Sequence, residues 1–179
     1  MTGEPRVRPV APADIDALAE LAALTFPLAC PPHTTDEAKA AHIAEHLGPK
    51  SFRGYLADPD RLLFVAEDGD GRLVGYTMLV VGGPADADVA AAITTRPTIE
   101  LSKVYTHPDV HGGGVAAALM ATCVDAAREL GVSAMWLGVN QENARANRFY
   151  EKHGFALVGT KRFLVGDRFE DDFVRERVL

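Results

Sequence analysis

The sequence predicts one α/β domain built on a mixed sheet. Three features lead to this reading. Apolar stretches with strand spacing and stretches with helical spacing follow one another along the whole chain. Asp68-Gly-Asp-Gly71 is a strong hairpin turn between two apolar runs. The stretch from Glu100 to Leu130 reads as a strand, a turn, a glycine cluster and a helix. A chain of 179 residues is long enough to bury one core, and no linker or internal repeat interrupts it, so the expected domain spans 1–179.

The elements follow in order. Arg6 to Val10 is a short strand. Pro12 and Asp14 open a helix to about Leu24, with Ile15, Leu18, Leu21 and Ala22 on one stripe. Phe26 to His33 is a proline-rich connection. Thr35 starts a second helical region toward Leu47, and Phe52 to Ala57 adds a turn of helix before Pro59. Leu62 to Ala66 and Leu73 to Val81 are the arms of the hairpin, because Gly and Asp accept the turn's positive φ. Gly82 to Thr98 has little apolar patterning and is expected to be a mobile loop, with at most one helical turn at Val89 to Ile93.

Ile99 to Thr106 is the next strand. Gly113 to Leu130 is a helix, with Val115, Leu119, Thr122, Ala126 and Leu130 at three- and four-residue spacing and Gly131 at its end. Ala134 to Val139 is a buried strand. Asn143 to His153 is a helix closed by Gly154, and Phe155 to Val165 and Arg168 to Val178 are two final strands joined at Gly166-Asp167.

Composition narrows the function. Eighteen basic against twenty-five acidic side chains give a net charge of −7, which argues against a nucleic-acid binder and is compatible with a cationic substrate. Cys30 and Cys123 have neither metal nor disulfide spacing and read as reduced thiols of a cytoplasmic protein. No apolar segment approaches the ~20 residues of a membrane span, and no signal peptide is visible.

Two motifs carry chemistry. Gly112-Gly113-Gly114-Val115-Ala116-Ala117 opens a helix, where N–H groups without helical partners and a positive dipole favour an anion such as a cofactor phosphate. It fits the loose pattern G-x-G-x-x-A, but His107 to His111 separate it from its strand and no acidic residue follows at the distance that ribose recognition needs. The second motif is Asn143-x-x-Ala146-x-x-x-Tyr150-x-x-x-Gly154-Phe155. On a helix Asn143, Ala146 or Asn147, and Tyr150 share a face. A tyrosine there is equally a core residue, and Asn143 equally a cap. His107 and His111 have no third ligand at metal spacing.

In this order and spacing, the two motifs together resemble the GNAT superfamily of N-acetyltransferases. The first resembles that family's diphosphate loop, Arg/Gln-x-x-Gly-x-Gly/Ala, with Gly114 and Ala116 at the last two fixed positions and His111 in place of Arg or Gln. The resemblance covers Leu62 to Phe155 well. It implies a mixed, mostly antiparallel sheet splayed at its centre and flanked by helices, and acetyl-CoA as cosubstrate without a metal. The diphosphate would sit on the amides of His111, Gly112, Gly113, Gly114, Val115 and Ala116. The pantetheine arm would pair along Val104, Tyr105 and Thr106, and Asn143 belongs to the second cofactor motif. Tyr150 matches the family's general acid, and Glu100 matches a place where several members carry a base. By alternation Glu100, Ser102, Val104 and Thr106 share a face unless a bulge shifts the phase.

The run Glu100 to Pro108 is further similar to the branch that includes polyamine acetyltransferases. The expected reaction is direct attack of a primary amine on the thioester, with a small cationic or polyamine-like acceptor. That acceptor would be held by the helices of Phe26 to Leu56 and by the Gly82 to Thr98 loop. The alternatives are a protein or peptide amine as acceptor, an acyl-CoA-binding module without turnover, and a dinucleotide-binding domain. Homodimers are common in the family, and no nucleic-acid or membrane partner is implied.

Overall fold

The computed structural model describes residues 3–179. A seven-stranded sheet carries the chain in the order β1-β2-β3-β4-β5-β7-β6. The strands are β1 (Arg6–Pro9), β2 (Arg61–Glu67), β3 (Leu73–Val81), β4 (Thr98–Thr106), β5 (Ala134–Asn140), β6 (Ala156–Val165) and β7 (Arg168–Val178). Every neighbouring pair is antiparallel except β4 and β5. That parallel pair is joined only over Thr98 to Glu100 and Ala134 to Trp136. Beyond Glu100 the strands part, and the sheet opens into a V at its centre.

The helices are α1 (Ile15–Ala29), α2 (Asp36–His46), α3 (Pro49–Ala57), α4 (Ala87–Ala92), α5 (Val115–Glu129) and α6 (Ala144–Lys152). On one face Leu18, Leu21, Ala22 and Phe26 of α1 and Phe52 of α3 pack on Leu63, Val65, Tyr76 and Met78. On the other face Met120, Cys123 and Val124 of α5 pack on Leu79, Leu101, Met135 and Leu137, with Phe149 and Tyr150 of α6 beside them. Gly75 lets α5 come this close, because a Cβ there would lie 3.0 Å from Leu119 and 3.1 Å from Val115. Among the described residues no helix is long and apolar enough to cross a membrane.

The structure departs from the sequence reading in three places. α1 continues past Leu24 and through Pro27 to Ala29, since burial of Thr25 and Phe26 outweighs the proline's missing donor. The segment expected to be a mobile loop is packed: Asp86 caps α4, and Val89 and Ile93 are buried against Trp136 and Val174. Glu176 of β7 accepts the N–H groups of Thr94 and Thr95, which ties this segment down. Third, Leu79 pairs with Leu101 while Met78 pairs with Lys103, so β4 bulges at Ser102. The Thr77 hydroxyl donates to the Lys103 carbonyl at the bulge, at 2.6 Å. The bulge reverses the alternation, so Glu100, Lys103 and Tyr105 share the α1 face and Val104 turns toward α5. The simple alternation of Glu100, Ser102, Val104 and Thr106 does not hold.

Candidate active site

The V between β4 and β5 opens into a cleft of about 730 Å³, lined among others by Glu100, Tyr105, His111, Gly114, Asn143, Tyr150 and Asp172. One end is made of backbone. Pro108–Val110 forms a single 3₁₀ turn, Gly113 N–H bonds back to Val110, and Gly112 and Gly114 take φ of +82° and +83°. At that φ a side chain is strained, which is why glycine stands at both positions. Gly114 is the N-cap of α5. The first helical hydrogen bond runs from Ala118 N–H to the Gly114 carbonyl at 2.9 Å, so the N–H groups of Val115, Ala116 and Ala117 lack helical partners. Val115 and Ala116 line the cleft with Gly112 and Gly114, whereas Gly113 is turned into the loop.

His111 stands where the loop pattern carries Arg or Gln. Its Nε2 faces the Thr106 carbonyl at 3.3 Å, and its Nδ1 lies 2.5 Å from Nη1 of Arg145. With Nε2 protonated, the ring donates to the carbonyl and accepts from the guanidinium. Arg145, on α6 and lining the cleft, therefore brings the positive charge that position 111 lacks. His107 caps the 3₁₀ turn through Nδ1.

Tyr150 reaches the cleft from the α5 face. Asn143 caps α6 by accepting from Ala146 N–H at 3.1 Å, so its side chain does structural work while also lining the cleft. Asn147 donates to the carbonyls of Asn140 and Asn143, and its Oδ1 accepts from Arg175 at 3.0 Å. This lock fixes α6 against β5 and β7 and so sets the position of Tyr150. The ring of Tyr150 meets Phe155 edge-on at 6.0 Å. Burial, reinforced by Tyr105 and Cys123, pushes its phenol well above the usual tyrosine range, so it enters the cleft protonated.

The other wall lies on the α1 face. Val104 and Thr106 line the cleft, and the β5-side edge of β4 beyond Glu100 has no strand partner. Tyr105 stacks on Tyr76 at 5.7 Å, and burial raises its phenol to about 12. Glu100 sits at the closed end of the V, its carboxyl raised by burial against the pull of Lys161, Lys103 and Arg61. Burial lowers Lys103, with Glu100 opposing and Arg61 assisting. Phe26 and His42 stack at 4.3 Å to form an aromatic side, and burial holds the His42 ring neutral, down to about 4.

Three residues of this wall carried no signal in the sequence. Lys161 of β6 pairs with Asp172 of β7 at 4.0 Å. Glu170 of β7 is bound by His33 Nε2 at 2.7 and 2.9 Å, and His33 Nδ1 lies 3.6 Å from Glu142. His33, Glu142 and Glu170 bring one ligand atom each within 4.8 Å, but the short His33–Glu170 contact reads as a tie between the α1–α2 connection and β7. Gly138 of β5 makes this arrangement fit, since a Cβ there would lie 2.4 Å from Lys161 Cε. Among the described residues none of the Gly82 to Thr98 segment lines the cleft, because α4 packs under β6, with Gly159 against Ala92. Residues of β6 and β7, Lys161, Leu164, Glu170 and Asp172, line the cleft instead.

The sequence pattern of the acetyltransferase (GNAT) family matches residues 15–155. An uncharacterized N-acetyltransferase of Mycobacterium tuberculosis is 45% identical over 166 residues, covering 93% of this chain and 98% of that one. A mycothiol acetyltransferase of Propionibacterium freudenreichii is 40% identical over 103 residues, 58% of this chain and 30% of that protein. Among solved structures, the PaiA N-acetyltransferase of Thermoplasma acidophilum in complex with coenzyme A superposes with a TM-score of 0.79 over 99% of this chain and 100% of that one, at 18% identity. The fold is that of the GNAT acetyltransferases. The chain belongs to the acetyltransferase (GNAT) family and is an acyltransferase.

Proposed function

We propose that this protein is an acetyl-CoA-dependent N-acetyltransferase that acetylates a small primary amine by direct attack on the thioester. The observation that carries the reading is the glycine-capped start of α5 at the mouth of a V-shaped opening beside the unpaired edge of β4. The unpartnered N–H groups of Val115, Ala116 and Ala117 and the guanidinium of Arg145 suit a diphosphate. The edge of Val104 to Thr106 suits the amide-bearing pantetheine arm, which adds there as a further strand. A backbone N–H of that edge polarises the thioester carbonyl. Acetyl-CoA, when bound, supplies the activated acyl group.

The chain's own groups then handle protons. Tyr150, protonated, gives its proton to the departing thiolate. A carboxylate of the α1-face wall, which Glu100 and Asp172 both line, takes the proton of the acceptor's ammonium. The wall carries Glu100, Glu170 and Asp172 against Lys103 and Lys161, a nearly balanced set of charges. That balance favours a compact acceptor with one ammonium over a long polyamine. The test is acetyl-CoA-dependent thiol release by the purified protein with putrescine, spermidine, lysine, glucosamine and a short peptide with a free amino terminus. Release with the small amines is expected. Release with the peptide alone would transfer the reading to a protein substrate, and binding of acetyl-CoA without release would leave a binding module.

A further inference from the structure

We propose that Asp172 is the catalytic base that takes the proton from the acceptor's ammonium, a role that rests on the acetyltransferase reading above. The first argument is depth. β5 is in register with both neighbours: Trp136 lies opposite Glu100 on β4, and Asn140 lies opposite Asp172 on β7. Four residues of strand, about 13 Å, separate the two levels. Counted past the bulge at Ser102, four levels on from Glu100 along the parallel β4 is Tyr105, in the middle of the Val104 to Thr106 edge. Asp172 thus stands level with the unpaired edge that suits the thioester, whereas Glu100 stands where β4 and β5 are still joined.

The second argument is the face. Residues directly opposite one another in neighbouring strands project to the same side of a sheet. Glu100, Trp136, Gly138, Asn140, Asp172 and Lys161 therefore share one face. Along β7 the same face is covered at Val174 by Val89 of α4 and Ile93, tied by Thr94 at Glu176 and tied by His33 at Glu170. Asp172 lies between these covers and lines the cleft. Tyr150 approaches from the opposite face, so acid and base stand on either side of the slot.

The third argument is chemical. Asp172 is only 6% exposed, and its Oδ1 has no hydrogen-bond partner among the described residues. A buried carboxylate oxygen without a donor is costly unless something that donates comes to it. An incoming ammonium does so. The titratable groups around Asp172 are Lys161 on β6, Asp171 and Glu170 on β7, and the neutral phenol of Tyr105 on β4. Burial, with Glu170 and Asp171, outweighs Lys161 and raises the Asp172 carboxyl to about 6, which suits a base working near neutrality.

The ammonium gives one proton to Asp172, and the freed nitrogen lone pair forms the C–N bond with the thioester carbonyl carbon. The C–S bond breaks, and the thiolate takes a proton from Tyr150. The nitrogen, now in the amide, loses its second proton, which restores Tyr150 through water, and Asp172 releases its own proton to solvent.

The test compares wild type, Asp172→Asn and Glu100→Gln in the full chain. It uses the amine acceptors above together with trifluoroethylamine, a small primary amine that is neutral at pH 7 and needs no base to free its lone pair. Asp172→Asn is expected to lower kcat about 100-fold on the ordinary amines. Its affinity for acetyl-CoA, measured by calorimetry, should stay within about twofold of wild type, which also shows that the variant folds. The deficit should shrink at least about tenfold on trifluoroethylamine, and Glu100→Gln should keep the rising limb of the pH profile that Asp172→Asn loses. An equal deficit on both kinds of amine, an unchanged Asp172→Asn profile, or loss of the limb in Glu100→Gln instead would overturn the assignment. Failure of wild type to release thiol with any amine would overturn the acetyltransferase reading, and this role with it.

Discussion

The two walls of the cleft are built by opposite means. The wall proposed for the cofactor is mostly backbone: the strand edge at Val104 to Thr106, the glycine turn and the bare start of α5, all within the stretch 104–117. The wall proposed for the acceptor is made of side chains from β4, β6, β7 and the helices, and Lys161 and Asp172 lie far from Glu100 in sequence. A wall of amides should tolerate replacement of its side chains. A wall of side chains depends on strand register, on a bulge and on one missing Cβ. Substitutions should therefore separate the walls, with affinity for acetyl-CoA failing on one side and proton transfer on the other.

The largest effect belongs to the acceptor wall, the ~100-fold loss of turnover in Asp172→Asn. Next comes Tyr150→Phe, which should lower turnover more than about tenfold while leaving acetyl-CoA affinity nearly intact; single-turnover kinetics and calorimetry read the two separately. On the cofactor wall, Gly114→Val forces a side chain onto φ +83°. The strain of about 1–2 kcal/mol should appear as acetyl-CoA binding weakened about tenfold. If Gly114→Val altered turnover at saturating acetyl-CoA but not affinity, the division between the walls would fail.

A smaller effect concerns stability. Folding raises the Asp172 carboxyl from 3.8 to about 6. The stabilisation that accompanies its protonation is complete below about pH 4 and is lost as pH rises through 6. At pH 7 the ionised group therefore costs about 3 kcal/mol. Asp172→Asn should melt above wild type at pH 7, and the gap should close near pH 4. A gap that stays constant with pH would mean that Asp172 is not held in a costly state. The smallest effect is that of Gly138→Ala. Its Cβ would displace only the flexible end of Lys161, so stability should fall by less than about 1 kcal/mol. With the ammonium moved off Asp172, the acidic limb of the rate profile should shift to higher pH.

The same contrast explains what the sequence revealed. The hairpin at Asp68 to Gly71, the helix after Gly114 and the Asn143 to Gly154 helix follow from local turn chemistry and periodicity, and all are present. The glycine loop and Tyr150 were legible because each lies in a short contiguous motif. Asp172 and Lys161 were not, since an alternating charged strand reads as a solvated edge until its pairing is known. Gly138 was the one available signal, a glycine inside an apolar strand, where another group approaches closely. The segment before Thr98 was misread because the residues that cover it, Trp136, Val174 and Glu176, come later in the chain.

The most direct test of the central claim is amine-dependent thiol release from acetyl-CoA by the purified protein, with the product identified by mass. The account predicts release that requires a primary amine and yields its N-acetyl derivative. Tight binding of acetyl-CoA with no amine-dependent release across pH 6 to 9 would contradict it.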